Sequence, residues 1–276
     1  MSIPSNYVLG RSTYEQERLI LQARILRPYT DRFFRAAGLK PGMRVLELGS
    51  GVGDVALLLG AIVGSGGRVL GLDRDAMALH RAGQRAVEQG CSSWVSFQTT
   101  DIDAFSTTEQ FDAVVGRYIL LYQRDPAATL RQMARFVKPG GIVSFHEVDF
   151  SLEKFSCPPC ELADRVVALI PEAFRRVGLP PDFGKYLGRT YLDAGLPFPA
   201  LLAEIPIGGA ANWDGLAWIA STVLSLAPRF TELGLSMPPG WAADGTLAGK
   251  LEAAVLERGS QIMAPTQYAA WVKKPL

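Results

Sequence analysis

Apolar and polar positions follow two regular patterns in the first half of the chain. Five short stretches are apolar throughout or alternate apolar with polar residues, which is typical of β-strands. They lie at residues 44–48, 68–73, 94–101, 111–122 and 138–150. The stretches between them are longer, and residues 75–90 place Ala76, Leu79 and Ala82 on one helical face. Strands that alternate with helices predict an α/β fold with a parallel sheet.

The segments before and after this region are predicted to be largely helical. Ser12 and Glu15 fit a capping box, and Pro28 is expected to end the first helix and to start a second one that stops at Gly38. After residue 150 the pattern is less regular. It predicts helices at residues 160–178, 213–230 and 245–259 and strands at residues 200–209 and 260–274.

Composition and charge indicate which compartment and which classes of binding partner to expect. The chain of 276 residues is 48% hydrophobic and 20% charged, as in soluble globular proteins. No apolar run approaches the ~20 residues needed to span a bilayer, and the N-terminus does not resemble a signal peptide. An odd count of three cysteines favours a reducing compartment, so we expect a cytoplasmic protein. A net charge of +1 gives little attraction to nucleic acid or to a membrane, and a small-molecule partner is expected.

The "CPPC" stretch at residues 157–160 carries two of the cysteines. Proline at both middle positions is a poor match to a redox motif. Two cysteines are also too few for a structural zinc site. We therefore predict loop cysteines that open a helix, and no metal site.

The loop "LGSGVGD" follows the first predicted strand and has a glycine at every second position, at Gly49, Gly51 and Gly53. Such a loop at a helix N-terminus suits a ligand that needs close backbone approach and free N–H groups. A dinucleotide fingerprint would have its third glycine at the position of Asp54. The loop alone does not decide between a dinucleotide and another cofactor.

Acidic residues in and at the ends of the predicted strands bear on the choice between a dinucleotide and another cofactor. Asp73 ends the second strand 20 residues after Gly53, where its carboxylate can accept ribose hydroxyls or, alternatively, cap the next helix. Asp101 ends the third strand, where a carboxylate can accept an adenine amino hydrogen. Glu47 lies inside the first strand, at a position usually given to apolar residues.

With these motifs and the "FDAVV" and "KPGG" segments in this order, residues from about 42 to 150 resemble a class I S-adenosylmethionine-dependent methyltransferase of the ubiquinone/menaquinone-biosynthesis type. The resemblance implies a Rossmann-like sheet, mostly parallel with an antiparallel last strand. It also implies a single domain over residues 1–276, with a helical cap at 1–40, a cofactor-binding core at 41–150, and substrate-side helices, a lid and closing strands at 151–276.

The resemblance also implies the cofactor site. In the core, the site residues are Glu47, Gly49, Ser50, Gly51, Gly53, Asp73, Arg74, Asp101, Ile102, Gly116, Arg117 and Tyr118. Asp73 would bind the ribose hydroxyls, Asp101 the adenine amino group, and Glu47 would order the loop or meet the methionine amino group. Relatives often have Cys or Thr inside the loop where this chain has Ser50 and Val52.

The N-terminal cap offers further cofactor contacts. Arg11, Arg18 or Gln22 can meet the cofactor carboxylate, and Tyr7 can place its ring near the sulfonium. Tyr7 and Gln22 are preferred because the sequence around them resembles the cap of the family. The alternative is a solvated helix without a ligand role.

The implied chemistry is in-line transfer of a methyl group to the O, N or C atom of a small, partly apolar metabolite. His146, near the end of the fifth strand, is the candidate general base, and a structural polar role is its alternative. The tryptophans and Phe230 of residues 213–241 suggest a lid over an apolar substrate, or ordinary core packing. Two rivals remain: a nicotinamide-dependent oxidoreductase, and a fold relative that binds the cofactor for another reaction.

Overall fold

The computed structural model describes residues 13–152, 154–209 and 213–275, so the predicted cap residues Tyr7 and Arg11 lie outside the described part. The helices are α1 Thr13–Ala37, α2 Asp54–Val63, α3 Ala76–Glu88, α4 Pro126–Ala134, α5 Glu161–Arg176, α6 Leu187–Asp193, α7 Gly215–Leu226 and α8 Leu247–Arg258. The strands are β1 Arg44–Leu48, β2 Arg68–Asp73, β3 Val95–Thr99, β4 Phe111–Arg117, β5 Val137–Asp149, β6 Ser156–Cys157, β7 Ala200–Glu204, β8 Ile207–Gly208, β9 Gln261–Met263 and β10 Thr266–Lys273. Among the helices of these ranges, none is both long and apolar enough to cross a membrane.

A seven-stranded sheet with the order β3-β2-β1-β4-β5-β10-β7 forms the centre of the fold. β1 pairs in parallel with both β2 and β4, and the parallel pairing continues to β3 on one side and β5 on the other. The last strand, β10, is antiparallel and lies between β5 and β7. The predicted class I sheet, mostly parallel with an antiparallel last strand, is therefore confirmed.

The chain divides into two compact units. The core unit comprises residues 26–147, 184–203 and 268–275, and contains most of the seven-stranded sheet. The helical unit comprises the described parts of residues 13–25, 148–183 and 204–267. The single domain expected from the sequence stays a prediction.

One hydrophobic cluster of the core unit lies on a single face of the sheet. α2 supplies a continuous buried run from Val55 to Leu59, because an apolar helix that follows a buried strand is covered on most sides. Val45, Val115 and Ile142 from three neighbouring strands pack against it.

The first helix is longer than expected. α1 runs without interruption from Thr13 to Ala37, so the break predicted at Pro28 is wrong. Proline removes one backbone donor and disturbs one turn of a helix. Buried side chains on both sides of it, Leu26 and Phe33 among them, keep the helix on the sheet and offset that cost.

The helical unit has its own packing. α5, α7 and α8 pack against one another, and β6, β9 and β8 form a small three-stranded sheet. The predicted closing strand at residues 260–274 is thus two strands, one in each sheet. Trp218 and Phe230 are buried in this unit. Cys160 directly precedes α5, as predicted for a cysteine that opens a helix, while Cys157 lies in β6 and is exposed.

Candidate cofactor-binding site

The candidate site lies at the carboxyl ends of β1, β2 and β4. β1 and β4 are neighbours from which the chain continues in opposite directions across the sheet, and ligands of open α/β sheets bind at such a switch point. Leu48 is in register with both Leu72 and Gly116. The loops that follow these three strands therefore emerge side by side.

The glycine loop between β1 and α2 has a backbone that favours glycine. Gly49, Gly51 and Gly53 have φ angles of 70°, 50° and 86°, in the left-handed region that L side chains rarely adopt. A Cβ on Gly49 would come within 2.7 Å of Ile119 Cδ1, whereas a Cβ on Gly51 would meet nothing within 4 Å. Gly51 thus presents bare backbone to open space, as a ligand cradle requires.

Asp73, at the end of β2, holds this loop in place. Its Oδ2 accepts a hydrogen bond from the Gly51 N–H at 2.7 Å, and its Oδ1 accepts one from the Asp75 N–H at 2.9 Å. Asp75, and not Asp73, caps α3 by accepting from the N–H groups of Met77 and Ala78. The capping alternative for Asp73 is therefore wrong, while its predicted contact with ribose stays a prediction. The adjacent Arg74 is exposed.

Glu47 is the buried acid behind the loop. Its side chain is 1% exposed, and its Oε2 accepts a hydrogen bond from the Ser50 hydroxyl. Its Oε1 is buried and has no hydrogen-bond partner among the residues that the structure describes. Burial raises the pKa of this carboxyl to about 8, against the opposing effect of Ser50. One interpretation from the sequence, that Glu47 orders the loop, agrees with the Ser50 contact.

Asp101 and Ile102 follow β3. Asp101 is exposed and caps the short 3-10 turn Ile102–Ala104, with its Oδ1 accepting from the Asp103 N–H at 3.1 Å. Ile102 is buried. An exposed carboxylate with one remaining oxygen keeps acceptor capacity for an adenine amino group, and this contact stays a prediction.

The turn after β4 contains the remaining core residues. Gly116 is buried, and a Cβ there would lie 2.6 Å from Ile119 Cγ2 and 2.8 Å from Phe145 Cε1. Tyr118 has a φ of 55°, which makes it the one non-glycine residue with positive φ in the described ranges. Strained backbone of this kind is concentrated at functional sites. The cofactor contacts of Gly116, Arg117 and Tyr118 stay predictions.

Thr30 of α1 joins the ends of β4 and β5. Its hydroxyl donates to the Leu26 carbonyl at 3.0 Å, accepts from Arg117 Nη1 at 3.3 Å, and lies 3.2 Å from His146 Nδ1. Burial lowers the pKa of the Arg117 guanidinium, and the attraction of Asp54 opposes this effect. The end of the sheet is thus tied to one helix through a single hydroxyl.

His146, the candidate base, has no exposed surface. Its ring lies edge-on to Phe33 and Tyr118, with centroid distances of 4.9 and 5.5 Å. These contacts agree with the structural alternative, because they immobilise the ring inside the unit. Its role as a base stays a prediction.

Arg18 and Gln22, the predicted cap contacts that the structure describes, are buried within the helical unit. The Oε1 atom of Gln22 accepts hydrogen bonds from Arg18 Nη1 at 2.9 Å and from Trp218 Nε1 at 3.3 Å. Arg18 also forms a two-pronged buried ion pair with Glu15 at 2.7 and 2.8 Å. The solvated helix considered as an alternative is therefore wrong for this face, and contact of Gln22 with a cofactor stays a prediction.

Three contacts of the site were not predicted from the sequence. Gly71 in β2 leaves space for the Glu47–Ser50 pair, Asp54 forms an ion pair with Arg85 at 2.7 Å, and Glu147 binds the backbone after Tyr118. A glycine inside a strand signals close approach of a neighbour, so Gly71 was detectable. The partners of Asp54 and Glu147 are 27 or more positions away and leave no local pattern.

Comparisons with known proteins agree with this geometry. The family model described as "Methyltransferase domain" matches residues 39–172. The chain is 41% identical over 102 residues to a 2-phytyl-1,4-naphthoquinone methyltransferase of Synechococcus elongatus, covering 37% of this chain and 44% of the relative. It is 32% identical over 139 residues to a ubiquinone/menaquinone biosynthesis C-methyltransferase of Xanthomonas oryzae pv. oryzae, covering 49% and 55%. The chain thus spans about half the length of the curated relatives it matches.

The fold is also similar to that of a solved methyltransferase structure. The phosphoethanolamine N-methyltransferase 2 of Haemonchus contortus superposes with a TM-score of 0.59 at 16% identity, covering 100% of this chain and 61% of the other. At this identity the similarity concerns the fold alone. Residues 39–172, just under half of the chain, match the methyltransferase-domain family, and the sheet order is the one expected from the resemblance to class I methyltransferases.

Proposed function

We propose that the protein is an S-adenosylmethionine-dependent methyltransferase that acts on a small, partly apolar metabolite. The observation that carries the proposal is the loop after β1, with its open Gly51 backbone anchored by Asp73. The unpartnered buried oxygen of Glu47, within the described residues, further supports a polar ligand at this loop. A carboxylate, backbone N–H groups and a bare glycine form a donor and acceptor set that suits an adenosine with an amino acid tail.

When bound, S-adenosylmethionine supplies a methyl group that is already activated on its sulfonium. The chain's own task is to hold the acceptor atom in line behind that methyl group, which in well-oriented systems contributes roughly 7–11 kcal/mol. Asp73 would hold the ribose hydroxyls, and the Asp101 carboxylate would accept the adenine amino hydrogen. Glu47 would keep the loop in the geometry described above through Ser50.

A hydroxyl acceptor would also need to lose its proton. His146 is the group proposed for this step, because it lies at the carboxyl end of β5 beside Tyr118. A ring carbon that gains a methyl group must also lose its hydrogen as a proton, and His146 is proposed to take up that proton as well. A tertiary amine acceptor would leave His146 with the positioning role that its contacts with Thr30 and Phe33 support.

The names of the two relatives suggest a chemical class for the methyl acceptor. Both names specify quinone substrates or quinone biosynthesis. A quinone ring needs its reduced, hydroxyl-bearing form to act as the nucleophile toward a methyl group. A reduced 1,4-naphthoquinone is therefore the first acceptor to test. We also propose a cytoplasmic location, one domain, and substrate contacts from the segments after residue 150.

Titration calorimetry with S-adenosylmethionine, S-adenosylhomocysteine and NADH tests the cofactor. We expect binding of the first two and no binding of NADH. Binding of NADH alone would overturn the proposal in favour of an oxidoreductase. A screen of metabolite extracts then tests the reaction, because S-adenosylhomocysteine must form together with a product that has gained one methyl group. Cofactor binding without such a product would favour the fold relative with another reaction.

Asp73 gives the sharper test. Asp73→Ala removes both the ribose acceptor and the anchor of Gly51, so we expect the Kd for S-adenosylhomocysteine to rise about 10- to 100-fold. Asp73→Asn keeps one acceptor oxygen and should lose less. Asp75→Ala is the matched control: it removes the cap of α3, at about 1 kcal/mol of stability, and should leave the Kd near that of the wild type. Equal affinity of Asp73→Ala and wild type would remove Asp73 from the site.

A further inference from the structure

Three consecutive amides after β4 donate hydrogen bonds to the end of β5. The Tyr118 N–H donates to the His146 carbonyl at 2.8 Å. The N–H groups of Ile119 and Leu120 both donate to Oε1 of Glu147, at 3.0 and 2.7 Å. The turn that follows the strained Tyr118 is therefore fixed by the last residues of the neighbouring strand, and mainly by one side chain.

Glu147 is suited to this task by its burial. The side chain has no exposed surface, and it comes from the strand position after His146, so it points to the opposite face of the sheet. Its Oε2 is buried without a hydrogen-bond partner in the described part of the chain. Burial raises the pKa of this carboxyl to about 8, against the opposing effect of the Leu120 and Ile119 amides. The group that binds the two amides near neutral pH is thus largely an uncharged carboxylic acid.

Ile119 transmits this contact to the glycine loop. Its side chain fills the space beside Gly49 and Gly116, since a Cβ would lie 2.7 Å from its Cδ1 at the first glycine and 2.6 Å from its Cγ2 at the second. The side chain therefore separates the loop after β1 from the turn after β4. Any displacement of the Ile119 backbone moves this spacer.

We propose that Glu147 is a positioning residue of the cofactor site, which holds Ile119 as the spacer between the glycine loop and the turn at Tyr118. The inference rests on the proposed function, since it concerns the site that would bind S-adenosylmethionine. Glu147 does not touch the cofactor in this scheme. It fixes where Gly49 and Tyr118 stand relative to each other.

The test compares Glu147→Ala with Glu147→Gln. Gln keeps an acceptor oxygen and resembles the uncharged acid in shape, so we expect its Kd for S-adenosylhomocysteine to stay within about threefold of wild type. Ala removes the acceptor and should raise the Kd about tenfold or more. If the Ala variant does not fold, Glu147→Leu replaces it, because it fills the volume without an acceptor. Ile119→Ala removes the spacer alone and should also weaken binding.

Tyr191→Phe is the matched control. Its hydroxyl is buried close enough to Glu147 to interact with it electrostatically, but it donates to carbonyls of β5 and β10 at 3.3 and 2.9 Å and not to the turn after β4. Loss of this hydroxyl should lower stability and leave the Kd within about twofold of wild type. Equal Kd values for Glu147→Ala and Tyr191→Phe would overturn the inference.

Hydrogen exchange separates this inference from the proposed function. Without any ligand, the Ile119 and Leu120 amides should exchange faster in Glu147→Ala than in wild type and in Tyr191→Phe. Unchanged exchange at these amides would overturn the positioning role. Wild-type protein that binds neither S-adenosylmethionine nor S-adenosylhomocysteine would instead overturn the proposed function.

Discussion

Glu47 of β1 and Glu147 of β5 have buried carboxyl groups, and their strands are separated by β4. In each carboxyl group one oxygen has no hydrogen-bond partner among the described residues. A buried carboxylate with an unsatisfied oxygen is costly, so the neutral acid is the favoured form. Burial raises both pKa values from 4.5 to about 8. The folded protein thus keeps two protons that the unfolded chain releases near pH 4.5.

This proton difference predicts how stability depends on pH. Between about pH 4.5 and 8 the folded state binds more protons than the unfolded state, so the free energy of unfolding falls as the pH rises. The stabilisation is fully present below pH 4.5 and is lost by the time the pH has passed 8. Urea unfolding at pH 5, 7 and 9 measures the loss, which should be on the order of 4 kcal/mol for each of the two glutamates.

In Glu47→Gln, the side chain at this position cannot titrate. Because the pKa values of the two glutamates are raised equally, this variant should lose about half of the fall in unfolding free energy between pH 5 and 9. Glu252→Gln changes an exposed carboxylate and serves as the control with wild-type pH dependence. A Glu47→Gln variant with the same pH dependence as wild type would show that Glu47 is ionised in the folded protein.

At the scale of elements, β2 approaches the glycine loop more closely than a side chain would permit. A Cβ on Gly71 would lie 2.1 Å from Ser50 Oγ and 2.9 Å from Phe97 Cδ1. Gly71→Ala is therefore expected to lower the free energy of unfolding by about 1–3 kcal/mol and to weaken cofactor binding, because the Glu47–Ser50 pair must move. Chemical denaturation and calorimetry measure the two effects.

Gly83→Ala provides a control of opposite sign. Gly83 lies inside α3, and a Cβ there would meet nothing within 4 Å. Alanine in a helix interior is favoured over glycine by about 0.5–1 kcal/mol, so this variant should be more stable than wild type. A neutral or stabilising Gly71→Ala would contradict the close packing described for β2.

The elements differ in how well the sequence predicted them. β2 has the predicted bounds, because an apolar run with an acid at its end is a local signal. The break at Pro28 is wrong because the cost of one proline is local, whereas the burial that offsets it depends on side chains such as Phe33 meeting the sheet. Glu147 was only a polar residue in a strand, since its role depends on amides 27 and 28 positions away.

At the scale of the whole molecule, the cysteines report on the two compact units separately. Cys91 is buried in the core unit, Cys160 is buried in the helical unit, and Cys157 is exposed. A thiol reagent such as DTNB should therefore modify one cysteine quickly in the native protein, and the other two only after their unit opens. Cys91→Ala and Cys160→Ala variants assign the slow reactions.

The same experiment tests whether the chain is one cooperative domain. One domain, as the sequence predicts, requires Cys91 and Cys160 to become reactive at the same urea concentration. Two separate transitions would contradict that prediction. S-adenosylhomocysteine should slow modification of Cys91, because a ligand that binds only the folded state stabilises it by mass action.

The hydroxyl of Thr30 favours one tautomer of His146. Thr30 has one hydroxyl hydrogen, and it is donated to the Leu26 carbonyl, so the contacts with Arg117 and His146 both require Thr30 to accept. Arginine can only donate, and the imidazole can donate here only with its hydrogen on Nδ1. In a neutral ring the lone pair is then on Nε2. α1 thus favours the tautomer of His146 that carries its hydrogen on Nδ1.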